Sequence, residues 1–442
     1  MSPDVLVLVV DSLRADRVSG GGRTCRTPFL DELRSEATTF ASAFSVASMT
    51  TVCTASILTG SYPFVHGVHS LAGRRLRGDL PTLAEAFRHA GYHTWAEMTG
   101  PLEPVTGLDR GFDEYRYRPY SEWLDTPFGD RLLSRLREGP KPWLGYVHLW
   151  ETHYPRRVTR PFNRSRYGEL LYDRSVSSLD HQLGRLLEAV GPEAIVVVTS
   201  DHGEYLPREK REEWVTRLKR PAAWAKEHVP GARRLRRRLV PLLFGGGRSA
   251  TPAEAARWQA WLGHGFHVYD PLVHVPLVIR APGALPAGAE VSSLVSQVDI
   301  LPTLLALADL DGGRAQPGAL DLGRLARNGA AAERSGIYLQ ASGARRMSRP
   351  EQWLAALRTD RYKYVRGMYS EEIPEELYDL EQDPAETANL AAGRPDLAAE
   401  LRGRLSDLMA ADAPPEPAPE TAYTPEEQER LEARLRDLGY FD

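Results

Sequence analysis

The feature that most restricts the fold is an unbroken apolar run near the start of the chain, VLVLVV at residues 5–10. A strand with one face in water alternates apolar and polar residues, whereas a strand covered on both faces is apolar throughout. Three other segments have a similar character: WLGYVHLWETH (143–153), AIVVVTSDHGE (194–204) and VPLVIRAPG (275–283). The pattern therefore predicts a mostly parallel sheet buried between two layers of helices.

Segments with helical periodicity lie between these runs: TPFLDELRSEA (27–37), LPTLAEAFRHAG (80–91) and LLYDRSVSSLDHQLGRLLEAVG (170–191). Alternating strands and helices are typical of a doubly wound α/β fold, which binds ligands at the carboxyl ends of its strands. Asp11, Glu151 and Asp201 each follow an apolar strand directly. We therefore expect these three carboxylates to converge at one edge of the sheet.

Composition sets broad limits on function. The formal net charge of −4 gives no general attraction to nucleic acid or to an anionic membrane. The two cysteines, Cys25 and Cys53, form neither a disulfide framework nor a thiolate metal site. The apolar run at the N-terminus is too short for a signal peptide or a membrane span, and this predicts a cytoplasmic location.

The 442 residues suffice for a large α/β domain and a smaller one. We predict a catalytic domain at 1–312, a small C-terminal subdomain at 313–412, and a Pro-rich linker with a charged terminal helix at 413–442. Residues 205–262 form a basic insertion within the first domain. This insertion is either a helical excursion with a solvated face or a surface that docks an anionic partner. The sequence does not indicate an oligomeric state.

Asp11, Asp201 and His202 suit a divalent cation, because such ions bind carboxylate oxygens and some also accept imidazole. Gly203 follows this pair and lets backbone approach a ligand closely. The segment SMTTVCTASILTG (48–60) predicts a helix near 51–59 with Ser48 or Thr50 as its N-cap. Thr50 is then either a simple cap or, beside a bound cation, a nucleophile.

Several segments, in this order along the chain, together resemble the sulfatases of the alkaline phosphatase superfamily: VLVVDSLRADR, ASILTGSYPFVHGV, GLDRGFDEY, VVVTSDHGE, GHGFHVYDPLVHVPLVIR and VDILPTLLALA. The resemblance implies an alkaline-phosphatase-like, mostly parallel mixed sheet flanked by helices. It also implies a small C-terminal α+β subdomain and a divalent metal at the strand ends.

In the family, the nucleophile segment reads Cys (or Ser)-x-Pro-x-Arg-x-Ser-x-x-Thr-Gly, and its first residue is oxidised to formylglycine. Aligning Ser56, Thr59 and Gly60 with this pattern assigns the nucleophile position to Thr50, three residues before Cys53. Cys53 is then a small buried residue on the helix. Threonine cannot give formylglycine, since a secondary alcohol oxidises to a ketone. Threonine at this position resembles the superfamily's phosphodiesterases and phospholipid-headgroup transferases, in which a metal-bound threonine attacks phosphorus.

By family position, the predicted metal ligands are Asp11, Thr50, Asp201 and His202. Ser12 stands where many relatives have a second aspartate. His202 stands where they often have asparagine, and this favours one Mn²⁺ or Zn²⁺ over Ca²⁺ or Mg²⁺.

Histidines predicted by family position complete the site. His153 and His264 match positions that contact the transferred group or protonate the leaving group, and with Glu151 they could hold a second metal. Arg156 is a candidate for substrate binding. The family's active-site arginine and lysine are replaced by Thr54 and Phe266, and this loss of positive charge favours a monoanionic diester over a dianionic monoester.

These inferences predict a phosphodiesterase or phosphotransferase with Thr50 as its nucleophile, acting on a small-molecule anionic ester and not on nucleic acid. Two alternatives remain open at this point. One is a sulfatase that acts without formylglycine, and the other is a non-catalytic sulfatase-like binding protein.

Overall fold

The computed structural model describes residues 2–20, 23–71, 74–206, 263–310, 318–329, 334–343, 350–410 and 422–437. The described strands are β1 (Val5–Val10), β2 (Thr38–Phe44), β3 (His93–Met98), β4 (Glu114–Tyr117), β5 (Trp143–Leu149), β6 (Ile195–Ser200), β7 (Leu277–Arg280), β8 (Ala289–Ser296), β9 (Ile337–Ala341), β10 (Leu354–Arg358), β11 (Tyr362–Gly367) and β12 (Glu376–Asp379). The described α-helices are α1 (Pro28–Glu36), α2 (Thr50–Thr59), α3 (Pro63–His66), α4 (Leu83–His89), α5 (Pro127–Glu138), α6 (Leu171–Val190), α7 (Asp270–Val273), α8 (Ile300–Leu307), α9 (Leu322–Asn328), α10 (Pro395–Ala410) and α11 (Pro425–Asp437).

The large sheet has eight strands in the order β4-β3-β5-β1-β6-β7-β2-β8. Strand β1 lies between β5 and β6 and is parallel to both. Strand β7 is antiparallel to both of its neighbours, β6 and β2. The predicted mixed, mostly parallel α/β sheet is confirmed. Residues 275–283 contain a strand, as expected. The antiparallel direction of this strand was not predicted.

The two faces of this sheet carry separate hydrophobic cores, because successive side chains of a strand point to opposite faces. Val5, Val7 and Val9 pack with residues of α2, α4 and α8. Leu6, Leu8 and Val10 pack on the other side with residues of α1, α5 and α6. Strand β1 is buried along its whole length, as its unbroken apolar sequence requires.

Local sequence signals set several helix ends. Thr82 and Glu85 form a capping box at the start of α4, in which each side chain accepts the other's backbone N–H, at 3.1 and 2.9 Å. Helix α2 ends at Gly60, whose φ of +59° is a left-handed conformation that favours glycine.

A second sheet of four antiparallel strands, in the order β12-β11-β10-β9, forms the C-terminal part of the fold. Helix α10 packs against β10 and β11. The predicted charged terminal helix is present as α11. The Pro-rich segment 413–421 and the basic insertion, apart from Tyr205 and Leu206, lie outside the described residues.

Candidate active site

Strand register brings two of the predicted ligands together. Val10 at the end of β1 is paired with Ser200 at the end of β6, so Asp11 and Asp201 leave the sheet side by side. Both carboxylates are fully buried. Ser12, which has a φ of +62°, donates its backbone N–H to Asp201 Oδ1 at 3.1 Å and its hydroxyl to Asp11 Oδ1 at 2.6 Å. Ser12 therefore orients both acids, although its side chain supplies no carboxylate.

A residue that the sequence analysis did not single out, His148 on β5, completes this group. Its Nε2 lies 3.4 Å from Asp201 Oδ2 and 3.8 Å from Asp11 Oδ2. His148 is the register partner of Val9, so it projects from the same face of the sheet as Asp11. The available signal was a lone imidazole in the otherwise apolar strand WLGYVHL. Asp11, His148 and Asp201 can offer ligand atoms that all lie within 4.8 Å of one another.

Thr50 is the first residue of α2, and its side chain is fully buried. Its Oγ1 lies 3.3 Å from Asp11 Oδ2 and 3.3 Å from His202 Nε2. The expectation that Ser48 or Thr50 is the N-cap was wrong, because Met49 occupies that position and no side chain caps the helix. The Ser48 hydroxyl instead donates to the carbonyl of His267 at 2.9 Å. The Thr50 hydroxyl is therefore not used as a helix cap.

The ring of His202 is held in one tautomer. Its Nδ1 lies 2.8 Å from the Gly203 carbonyl oxygen, which can only accept, so Nδ1 carries the proton. Nε2 then presents a lone pair toward Thr50, as required of a metal ligand or a proton acceptor. Burial lowers the pKa of His202 to about 4, so the imidazole is neutral at pH 7.

The glycine after this histidine serves a different purpose from the one predicted. A Cβ on Gly203 would lie 2.2 Å from the Pro271 carbonyl oxygen. The Gly203 N–H donates to the Leu272 carbonyl at 2.8 Å. The close approach is therefore to the backbone of α7 and not to a ligand.

The electrostatics of the acid pair suit a divalent cation. Burial raises the pKa of Asp11, and the adjacent Asp201 raises it further because two carboxylates in a low-dielectric site repel each other. Burial also opposes ionisation of Asp201, but the imidazoles of His202 and His148 hold its pKa below the usual value. A divalent cation between the two carboxylates would offset their repulsion. The donor set of Asp11, Asp201 and His148 therefore fits a metal chemically.

A second group of polar side chains borders this cluster. The ring of His264 lies 4.4 Å from that of His202 and 5.2 Å from that of His153, measured between centroids. The carboxylate of Glu204 lies 3.6 Å from His264 Nδ1 and 3.8 Å from the Arg156 guanidinium. All these side chains are more than nine-tenths buried, and Glu204 was not among the predicted residues. The predicted His153, His264 and Arg156 therefore lie together beside His202.

His153 has a defined protonation state as well. Its Nδ1 lies 2.6 Å from the Tyr154 carbonyl oxygen and so donates a proton to it. Burial lowers the pKa of His153 well below the usual value. The neutral ring therefore presents an unprotonated Nε2.

Glu151 was expected to converge with Asp11 and Asp201, but its side chain is held elsewhere. Its Oε1 accepts the Leu124 backbone N–H at 2.8 Å, and the Arg118 guanidinium opposes the rise in its pKa that burial causes. Among the described residues, the sole cluster of metal-ligand type is Asp11, His148 and Asp201. A second metal held by Glu151, His153 and His264 therefore has no support in the geometry.

Cys53 is fully buried on α2, as predicted from its position. Its thiol donates to the Ala47 carbonyl at 3.1 Å. Burial raises its pKa, so the thiol stays protonated at neutral pH and is a poor nucleophile.

Comparisons with known proteins agree with this architecture. The family model "Sulfatase" matches residues 3–310, and the model "N-sulphoglucosamine sulphohydrolase, C-terminal" matches residues 260–411. An ulvan-active sulfatase of Formosa agariphila is 25% identical, with 92% of this chain and 81% of the relative covered. Two solved structures share the fold at lower identity. The phosphonate monoester hydrolase of Agrobacterium radiobacter has 20% identity and a TM-score of 0.67, with 93% and 96% of the two chains covered. A 2-O GAG sulfatase has 19% identity and a TM-score of 0.68, with 97% and 100% covered.

No helix in the described parts of the chain has the length and apolar character needed to cross a membrane.

The family matches cover most of the chain and include both sheets. They make the protein a sulfatase-like ester hydrolase, and the buried group of Asp11, His148 and Asp201 is compatible with the divalent metal of this family. The chain belongs to the sulfatase family of the alkaline phosphatase superfamily.

Proposed function

We propose that the protein is a metal-dependent phosphoesterase that uses the Thr50 hydroxyl as its nucleophile and prefers phosphodiesters. The observation that carries this proposal is the contact of Thr50 Oγ1 with both Asp11 Oδ2 and His202 Nε2, each at 3.3 Å. The carboxylate can take the hydroxyl proton, and the neutral imidazole offers a lone pair to a metal beside the same hydroxyl. Cys53, by contrast, points its thiol to a backbone carbonyl.

Asp11, Asp201, His202 and Thr50 remain the predicted ligands of one divalent metal, and the proposal adds His148. Two imidazoles among the donors favour Mn²⁺ or Zn²⁺ over Ca²⁺ and Mg²⁺, which prefer oxygen. When bound, such a cation lowers the pKa of a coordinated hydroxyl and neutralises charge on the transferred group. The Ser12 hydroxyl is not needed as a ligand, because it donates to Asp11 Oδ1.

In the first step the Thr50 oxygen attacks phosphorus, and a new O–P bond forms as the bond from phosphorus to the leaving oxygen breaks. The hydroxyl proton passes to Asp11, to whose Oδ2 the Thr50 hydroxyl donates, because the Nε2 lone pair of His202 is assigned to the metal. Arg156 binds a non-bridging oxygen of the transferred group, because a guanidinium matches oxyanion geometry. His264 is assigned as the proton donor to the leaving oxygen, since His153 is neutral and has already committed its only N–H to Tyr154.

In the second step water attacks the phosphothreonine at phosphorus, the O–P bond to Thr50 breaks, and the threonine hydroxyl is restored. An acceptor alcohol in place of water would make the enzyme a transferase. His264, deprotonated by the first step, can take the proton of the attacking water or alcohol.

The charge of the site supports a monoanionic substrate. Arg156 is partly compensated by Glu204, and Phe266 supplies no charge. Phosphodiesters and sulfate monoesters are both monoanions, so charge alone does not separate them. Threonine favours phosphorus, because a sulfated threonine lacks the aldehyde hydrate that would let the sulfate leave by elimination.

Turnover of bis-(p-nitrophenyl) phosphate with Mn²⁺ or Zn²⁺ tests this proposal. Thr50→Ala should lower kcat on the order of a thousandfold or more, as loss of a nucleophile does in other hydrolases. Thr51→Val is the matched control on the same helix, because the Thr51 hydroxyl donates to the Pro101 carbonyl and not to the site. Cys53→Ala should also stay active. Equal activity of wild type and Thr50→Ala would eliminate the mechanism.

A second candidate function is hydrolysis of a sulfate ester without formylglycine. The similarity to an ulvan-active sulfatase and the match to an N-sulphoglucosamine sulphohydrolase model favour it. Comparing p-nitrophenyl sulfate with the phosphate diester separates the two candidates. A mass change at Cys53 in intact protein would instead indicate a sulfatase that carries formylglycine and would move the nucleophile to that residue.

A further inference from the structure

The residues that follow Arg156 in the chain line a cavity outside the site described above. This cavity has a volume of about 720 Å³. Its lining is formed by Asp125, Arg157, Val158, Thr159, Arg160, Asn163 and Arg164. None of these residues has a role in the proposed chemistry. We refer to it as the arginine cavity.

The arginine cavity carries unbalanced positive charge. Arg157 is neutralised by Asp125, with two hydrogen bonds of 3.0 and 2.5 Å to the two carboxylate oxygens. The side chains of Arg160 and Arg164 are exposed and make no hydrogen bond or ion pair with any described residue. Two arginines that line the cavity therefore have no acid within ion-pairing distance among the described residues.

A short stretch of chain connects the proposed reaction site to the start of the arginine cavity's wall. Arg157 is four residues after His153, so their Cα atoms are at most about 15 Å apart along the chain. The Arg157 backbone N–H also donates to the Glu151 carbonyl at 2.9 Å, which holds the start of the cavity wall against the end of β5. A substrate longer than a single ester group could reach both places.

We propose that the arginine cavity is a second anion subsite, which binds a further sulfate, phosphate or carboxylate group of a polyanionic substrate whose scissile ester lies at Thr50. Guanidinium groups bind such oxyanions through paired N–H donors, and the contact weakens as salt screens it. This inference rests on the proposed function for the position of the ester. Thr159 and Asn163 contribute uncharged polar groups to the lining of the same cavity.

Binding of sucrose octasulfate, measured by calorimetry in the Thr50→Ala background, tests the subsite without requiring turnover. The Arg160→Gln/Arg164→Gln variant should bind this probe at least tenfold more weakly at 50 mM NaCl, because two charge-assisted contacts are lost. The difference should shrink at 300 mM NaCl. Binding of p-nitrophenyl sulfate, which has one anionic group, should change less than twofold.

The control is Arg137→Gln/Arg185→Gln, which removes the same charge from exposed positions on α5 and α6. It should weaken octasulfate binding less than twofold. Equal weakening by both double variants would assign the effect to general surface charge and overturn the proposal, as would no weakening by either. An inactive wild-type enzyme would refute the proposed function yet leave the ratio between the two variants unchanged, so the two failures are distinguishable.

Discussion

At the scale of single residues, His148 has the clearest consequence for the metal. It supplies an imidazole where Ser12 supplies no carboxylate, and its Nε2 lies within 3.8 Å of both acids. In its absence the buried pair of Asp11 and Asp201 would have to hold a cation with fewer donors. His148 is therefore expected to contribute to metal affinity directly.

His148→Gln should reduce the affinity for Mn²⁺ or Zn²⁺ by about 10- to 100-fold, since an amide is a weaker ligand than imidazole and even supporting residues of metal sites cost this much. Calorimetric titration of the metal-free protein measures the change. His181→Gln, at an exposed position on α6, is the control and should bind as wild type does. Unchanged affinity in His148→Gln would remove this residue from the ligand set.

At the scale of elements, α6 provides the N-terminal cap of α1. The Asp180 carboxylate accepts the backbone N–H groups of Leu30 at 2.8 Å and Phe29 at 3.2 Å. It is nonetheless buried, and burial raises the pKa of Asp180 to about 7. The ionised carboxylate is thus disfavoured in the folded state, although it occupies the position of a helix cap.

An acid whose pKa is raised on folding stabilises the protein fully below its unfolded pKa of about 3.9, and that contribution is lost as the pH rises through about 7. Asp180→Asn keeps a carbonyl oxygen as acceptor and does not titrate. The unfolding free energy of wild type relative to this variant should therefore fall between about pH 4 and pH 7 and level off above that, by at most about 1.4 kcal/mol per pH unit. Urea unfolding at each pH measures this difference. The exposed Asp130→Asn is the control, and parallel curves for wild type and Asp180→Asn would contradict the prediction.

The elements that the sequence predicted best are those with a strong pattern. Strand β1 is apolar throughout and β5 and β6 are largely apolar, and helices α1, α4 and α6 show a helical period, so both groups were located within a few residues. Strands β2 (TTFASAF) and β8 (AEVSSLVS) carry threonine, serine and glutamate, and neither was predicted. The antiparallel direction of β7 depends on how the chain returns to the sheet, which a local pattern does not record.

The site residues that directly follow a strand, Asp11 and Asp201, could be predicted from the sequence. His148 was missed because it lies within a strand, and its importance depends on the register between β5 and β1. Glu151 also follows a strand, yet its side chain turns to the Leu124 backbone, and only packing decides between these orientations. Sequence therefore proposes candidates, and register and packing select among them.

At the scale of the whole molecule, the small sheet is joined to the active-site segment by a buried ion cluster. Lys363 on β11 is fully buried, and its Nζ lies 2.5 Å from Asp270 Oδ1 and 2.7 Å from Glu386 Oε1. The same ammonium donates to the Val268 carbonyl at 2.8 Å. Because Val268 and Asp270 follow His264 closely in the chain, the C-terminal sheet positions the segment that carries the proposed proton donor.

Lys363→Met keeps the length of the side chain but leaves Glu386 buried without a cation, and leaves Asp270 with Arg358 alone, at 3.4 Å. Breaking a buried ion pair in this way costs about 3–5 kcal/mol of unfolding free energy, which urea unfolding at pH 7 would measure. Arg402→Met is the control on the same part of the fold, because its pair with Glu375 is partly exposed and contributes below about 1 kcal/mol. If Lys363 positions His264 as argued, the folded fraction of Lys363→Met should also lose kcat while Arg402→Met keeps it. Equal stability of the two variants would show that the buried cluster does not anchor the active-site segment to the small sheet.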